Sequence, residues 1–276
     1  MLSFMTMAVA GRELAGQHDT FEIMMYRSLL GIGIVLGVGW MAGTLHQINI
    51  DRLGLHGLRN LFHFAGQNLW FFAVATVPMA QVFALEFTSP IWVALAAPLV
   101  LGERWRSTRL VAAVLGFIGI LIVARPGALE ITPGVITATL AAFGFAGAIL
   151  TTKLLSRTAS VTCILFWLVI IQVVFGVITA GMDGQIALPT ASSLPYLAVV
   201  GCAGLSGHWC ITSALSVAPA SVVSPMEFLR LPLIAVVAFF LYSEPLEWPV
   251  FLGAAIVFGA NLMNIFAEQR RQNVPG

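Results

Sequence analysis

Long apolar runs separated by short polar stretches set the pattern of the chain. Runs near 20–43, 54–76, 79–101, 107–125, 133–155, 159–181, 194–217, 219–243 and 247–267 each approach the roughly 20 residues that a helix needs to cross a bilayer. A shorter apolar start, 1–16, precedes them. The breaks carry turn chemistry: "TLHQINIDR", "GERWRSTR", "RPGALEITPG", "GMDGQIALPTASS" and "SEPLEW". The runs are far longer than the roughly 10 residues of a barrel strand and do not alternate, so they predict helices. The start lacks a basic leading region, and Arg12-Glu13 interrupts it where a cleavage site would lie, so it does not read as a signal peptide.

The runs repeat. Displaced by 141 positions, Gly66 meets Gly207, Ala73 meets Ala214 and Pro78 meets Pro219. At the same offset Val82 meets Val223, Glu86 meets Glu227, Phe87 meets Phe228 and Glu103 meets Glu244, with no gap. Arg12 meets Lys153. Apolar coincidences are cheap in such a chain, whereas two glutamates at one offset are not. The expectation is an all-α integral membrane protein, a ten-helix bundle of two five-helix units, 1–126 and 127–276. Five is odd, so the units thread the membrane in opposite directions, the inverted-repeat design of secondary transporters. The second unit's first helix begins near Pro133, whose counterpart falls before residue 1. The first helix therefore reads as truncated, and a start codon set too late is the preferred explanation.

Composition fixes the solvent. Of 276 residues, 59% are hydrophobic and 9% charged, and the mean hydropathy is +0.96. A soluble domain carries roughly 25% charged residues, so the lipid bilayer must cover most of this chain. A net charge of +1 points to no nucleic acid. Cys163, Cys202 and Cys210 lie in apolar runs with neither metal-ligand nor disulfide spacing, and no cofactor or metal is expected. With the N-terminus inside, Arg52, Arg59, Arg104, Arg106, Arg109, Lys153, Arg157, Arg270 and Arg271 face the cytoplasm, against Arg12, Arg27 and Arg125 on the other side. That asymmetry favours both termini being cytoplasmic.

The acids carry the candidate chemistry. Glu86 lies about 12 Å into its span at 1.5 Å per residue, and Glu227 lies at a similar depth from the opposite face. A carboxylate there costs several kcal/mol unless it is paired, protonated or facing a water-filled cavity. A proton-coupled carrier can use such groups. The bland alternative is that Arg230, three residues after Glu227, pairs with it along the helix, and that Thr88, Ser89 or a neighbouring helix satisfies Glu86. Gln81 and Ser89 extend a polar stripe, and Pro90 and Pro232 loosen the helical ladder beside it. "GQNLWFF" places Gln67, Asn68 and Trp70 mid-span, and "GHWC" places His208 and Trp209 at the shifted positions of Gln67 and Asn68. Interhelical hydrogen bonding is the structural alternative for these. Trp92 and Trp167 are deep enough to line a cavity, with Tyr26 nearer its mouth, whereas Trp105 and Trp248 read as interface anchors. Gly31, Gly33, Gly37 and Gly39 read as a helix-packing stripe. Glu103 and Glu244 read as structural residues at helix ends.

"FTSPIWVALAAPLVLGERW", "GFIGILIVARPG" and "APASVVSPMEFLRLPLIAVVAFFLYSEPLEWPVFLGAAIVFGANL" resemble the drug/metabolite transporter superfamily, EamA type, and Arg27 in "MMYRSLL" sits where that family commonly has an arginine. The resemblance covers essentially the whole chain. It implies a multi-pass protein of the bacterial inner membrane, with a central cavity opening alternately to each side for a small metabolite or drug. Two departures are the short first helix and Arg230, a charge where many relatives are apolar. An arginine there suits an anionic or zwitterionic ligand.

Three rivals remain. "GLSGH" at 204–208 is similar to a rhomboid protease motif with Ser206 as nucleophile, but its base would have to be a histidine on a later helix, and none follows His208. The others are a passive channel and a scaffold, and a scaffold has no need of repeat symmetry. The expectation is thus a secondary active transporter and not an enzyme. Glu86, Glu227 and Arg230 are its charged lining, and Gln67, Asn68, Trp70, Gln81, Ser89, Trp92, His208 and Trp209 its polar and aromatic surface.

Overall fold

The computed structural model describes residues 2–103, 107–124, 131–182, 184–227, 230–244 and 248–272. The helices are α1 (Leu2–Glu13), α2 (Thr20–Met41), α3 (Leu53–Thr76), α4 (Met79–Glu86), α5 (Ser89–Leu101) and α6 (Ser107–Ala124). They continue as α7 (Pro133–Leu155), α8 (Val161–Ala180), α9 (Leu194–Val217), α10 (Ala220–Met226), α11 (Arg230–Tyr242) and α12 (Trp248–Gln272). No strand occurs among the described residues. The expected spans reappear with ends moved by a few residues, and α1 has 12 residues against 23 in α7.

Among the described residues, five segments are long and apolar enough to cross a membrane on those grounds alone: Thr20–Met41, Met79–Leu101, Pro133–Leu155, Val161–Ala180 and Leu194–Val217. α3 is equally long, but His56, Arg59, Asn60, His63, Gln67 and Asn68 dilute its apolar character. All six are buried, so α3 turns its polarity inward.

The expected span 79–101 is broken, and in the expected span 219–243 two separate helices are described. α4 stops at Glu86 and α5 starts at Ser89. Pro90 has no N–H for the Glu86 carbonyl four residues back, and its ring disfavours helix before it. α10 stops at Met226 and α11 resumes at Arg230, two residues before Pro232. The outer limits of the two broken segments keep the offset of 141: Met79 against Ala220, Leu101 against Tyr242.

Helices of the first half pack chiefly on helices of the second: α3 on α7, α6 on α12, α2 on α8 and α1 on α9. α4 packs on α11, and α5 on α10. Small residues set these distances. A Cβ at Gly144 would sit 2.7 Å from the Gly66 Cα and 2.8 Å from the Phe62 carbonyl oxygen, so α3 and α7 cross backbone to backbone. At Gly176 a Cβ would lie 2.9 Å from the Met25 Cα, which brings α2 against α8 equally closely. The expected glycine stripe is half used: Gly31 receives Val169 and Gly39 receives Leu45, while Gly33 and Gly37 face open space.

The charge count behind the orientation needs correcting. Arg59 and Arg27 are buried side chains rather than loop charges. Lys153 donates to the carbonyls of Leu215 and Ala218 at the end of α9. Arg104, Arg106, Arg125, Arg270, Arg271 and the anchor Trp105 lie outside the residues or side chains described. Tyr26 does not mark a cavity mouth; its hydroxyl donates to the Ala187 carbonyl at 2.9 Å and ties the loop before α9 to α2. Glu22 accepts from the Ala187 N–H at 2.5 Å in the same tie. Trp167 likewise donates to the Asn49 carbonyl at 2.7 Å.

Gly144→Ala is expected to destabilise the protein by about 1–3 kcal/mol through overpacking, whereas Gly33→Ala is neutral or slightly stabilising in a helix. Unfolding of the detergent-solubilised variants checks this, and equal midpoints would contradict the backbone crossing.

Candidate functional site

The helix breaks bring three charges together. Arg230, the first residue of α11, donates through Nη2 to Glu86 Oε1 at 3.0 Å and also reaches Glu227 Oε2. Trp70 Nε1 donates to Glu86 Oε2 at 2.7 Å. Glu86 thus has a partner on each oxygen, one from α3 and one from the second half of the chain. The expected pairing of Arg230 with Glu227 is present, but the arginine is shared. Thr88 does not serve Glu86; its hydroxyl donates back to the Leu85 carbonyl at 2.9 Å. Three rings, Phe4, Phe83 and Phe87, surround the guanidinium with centroids 5.1–5.6 Å from its carbon. They screen the cation from lipid and stabilise it through their electron-rich faces.

The triad borders a cavity of about 70 Å³. Its wall comes from both halves of the chain: Phe4 and Met7 of α1, Phe145 to Thr152 of α7, His208 to Leu215 of α9, and Glu86, Ser89, Glu227 and Arg230. α3 contributes Arg59, His63, Gln67 and Trp70. Their spacing of four, four and three residues places them on one helix face. His63 Nε2 and His208 Nε2 are 2.9 Å apart across the cavity, one donating to the other. Arg59 donates from Nε to Thr152 Oγ1 at 3.2 Å.

The fate of the predicted lining residues is mixed. Glu86, Glu227, Arg230, Gln67, Trp70, Ser89 and His208 border this cavity. Asn68 does not: its amide donates to the Phe64 carbonyl one turn back at 2.8 Å. Gln81 is half-buried outside the lining. Trp92 is turned outward onto Phe143, with ring centroids 4.4 Å apart. Trp209 is exposed and lines a separate apolar groove between α2, α8 and α9. The expected aromatic wall of Trp92 and Trp167 is therefore replaced by Trp70, Phe4 and Phe145. Ser206 lines the outer groove with Trp209 and bonds to Ser3 Oγ at 3.2 Å. His63 meets His208 instead of that serine, so the protease reading has no base.

Arg59, His63, Phe4 and Thr152 were missed as lining residues. The signal for two of them was present: Arg59 and His63 continue the face of α3 that Gln67 and Trp70 mark. Phe4 and Thr152 carried no such signal, because only helix packing brings them to the cavity.

The ends of the broken segments are held across the two halves. Glu244, just after α11, accepts the Met79 N–H at 3.0 Å and an Arg12 guanidinium at 2.5 Å. Glu103, just after α5, accepts the Ala220 N–H at 3.1 Å and the Ser221 hydroxyl at 2.5 Å. Each glutamate caps the first turn of the segment at the other's shifted position, where free N–H groups favour negative charge. They are structural residues, as expected, but they act between the halves.

The profile of the EamA-like transporter family matches residues 1–125 and 132–266. The S-adenosylmethionine uptake transporter of Rickettsia bellii is 25% identical over 95% of this chain and 89% of its own. The riboflavin transporter of Brucella anthropi is 30% identical over 87% of this chain and 86% of its own. One solved crystal structure shares the fold, with a TM-score of 0.75 at 15% identity over 99% of this chain and 98% of that one.

Arg230→Gln is expected to cost about 3–5 kcal/mol, because the buried Glu86 and the half-buried Glu227 lose their shared cation. Glu227→Gln leaves the Glu86–Arg230 pair intact and is expected to cost about 1.5–3 kcal/mol. Thermal unfolding of the purified variants measures the difference, and equal losses would contradict the shared arrangement.

Proposed function

The chain belongs to the EamA-like transporter family, and from that premise we propose that it is a secondary active carrier of a small organic metabolite working by alternating access. Its family and relatives are transporters rather than enzymes, and it is a multi-pass membrane protein. The observation that carries the proposal is the Glu86–Arg230–Glu227 cluster, set at the breaks of two helices that correspond at an offset of 141. Broken helices meeting near mid-membrane are where secondary transporters hold substrate and coupling ions.

The carrier is composed, on this reading, of two inverted five-helix repeats, 1–126 and 127–276, with both termini cytoplasmic in a bacterial inner membrane. The common offset of the broken segments and the pairing of each half on the other support that arrangement. Inverted threading puts the Glu103 cap and the Glu244 cap at opposite membrane faces. Releasing one and keeping the other opens a path to one side only. The cavity of about 70 Å³ is far smaller than the roughly 300–1,000 Å³ of a usual small-molecule pocket, so the halves must move apart to admit substrate. Protons are the proposed coupling ion, since one guanidinium leaves one of the two carboxylates to be neutralised.

The metabolites named for the relatives, S-adenosylmethionine and riboflavin, are the first to try in proteoliposome counterflow, which only a carrier supports. Glu86→Gln is expected to abolish flux, or its pH dependence, in a protein that still inserts; flux unchanged at every pH would remove Glu86 from the mechanism.

The caps give a second prediction. In a background without the native cysteines, Ser89→Cys reports access to the cavity by impermeant maleimide. Glu244→Gln is expected to raise labelling from the face where Met79 lies, and Glu103→Gln from the opposite face. A shift of both variants toward the same face would rule out reciprocal gating.

A further inference from the structure

The cavity has two electrical poles. At one, Glu86 and Glu227 share Arg230, leaving an excess of one negative charge. At the other stands Arg59, 2% exposed and with no carboxylate in ion-pair contact among the described residues. It donates from Nε to Thr152 and from Nη1 to Asn60 at 3.4 Å, and no hydrogen bond from Nη2 occurs among the described residues. Behind it Arg27 is also buried, with Met24 Sδ as its hydrogen-bond partner at 3.3 Å. Between the poles, Gln67 Nε2 is buried without a hydrogen-bond partner and borders the cavity.

A buried cation without a counterion and a buried amide donor without an acceptor are each costly. Both are donors, so both call for an acceptor from outside the chain. Arg230 cannot provide the anion site that the sequence suggested, because Glu86 and Glu227 already engage it. The remaining Nη2 suits one oxygen of a carboxylate in a charge-assisted hydrogen bond. A phosphoryl group would need a second cation on its third oxygen, and Arg27 does not border the cavity. Arg59 and Trp70 stand eleven residues apart on α3, so their Cα atoms are about 16 Å apart.

We propose that the substrate is an elongated zwitterion, held with its carboxylate on Arg59, an acceptor in its middle on Gln67 Nε2, and its positive group beside Glu86 and Glu227. This rests on the carrier reading and narrows it to a substrate class. A compact α-amino acid, with its charges on neighbouring atoms, cannot reach both poles.

The probes are 8-aminooctanoate, octanoate and 8-aminooctanamide, matched in length and differing in which charges they carry. Each is titrated against the purified full-length protein, with thermal stabilisation as the readout. The zwitterion is expected to bind about tenfold or more tightly than either single-charge probe, a difference of about 1.4 kcal/mol. Arg59→Gln should abolish the preference over the amide, and Glu227→Gln the preference over octanoate, each leaving the other preference in place. Arg59→Lys, which keeps the charge, should restore part of the first preference and guards against a merely misfolded Arg59→Gln. Equal binding of the three probes, no binding of any, or loss of both preferences in either variant overturns the proposal. Riboflavin counterflow in the same preparation separates the two readings: saturable exchange without charge discrimination keeps the carrier and discards the zwitterion site.

Discussion

One electrostatic constraint organises the centre of this molecule: a buried carboxylate, Glu86, and a half-buried one, Glu227, within a mostly apolar bundle. An isolated ion there would cost many kcal/mol. One guanidinium, placed where a helix restarts, touches both acids, and an indole N–H takes the remaining contact of Glu86. Aromatic faces rather than lipid surround the cation. The cluster can exist only if α3, α4 and α11 are held in register, so its charge chemistry also fixes the relative position of the two halves of the chain.

The same economy governs the backbone. Breaking a helix inside a bilayer exposes carbonyls and N–H groups that lipid cannot satisfy, and this is tolerated only beside protein or a wet cavity. Here the breaks face the cavity, and the outer ends of the broken segments are capped by glutamates from the opposite half. Each cap ties the start of a segment in one half to a helix end of the other. Close crossings at Gly66–Gly144 and Gly176–Met25 hold the helices of the two halves backbone to backbone.

Much of the candidate site was legible. Glu86, Glu227 and Arg230 stood out because charges are rare in this chain, and rarity inside an apolar run is itself a signal. Gln67, Trp70, Ser89 and His208 followed from their depth in the spans. Asn68, Trp92 and Trp209 failed for one reason: depth along a helix says nothing about direction around it. Neighbouring positions such as 67 and 68, or 208 and 209, point about 100° apart. The face of α3 read as a stripe from Arg59 to Trp70 would have separated them. Counting Arg59 and Arg27 as loop charges was the converse error, since an arginine near a span's end is equally consistent with the water boundary and with the interior.

The sequence by itself determined that the chain is a bundle of apolar helices, that its two halves echo each other, and which charges lie deep in the spans. Those facts are local: they depend on composition, run length and offset. The tertiary structure alone decided that Arg230 serves Glu86 as well as its own neighbour, that Glu103 and Glu244 cap segments more than a hundred residues away, and that Arg59 faces a chamber instead of water. Each depends on which helix packs against which. That is set by small residues and shape complementarity summed over many contacts, and no single stretch of sequence carries it.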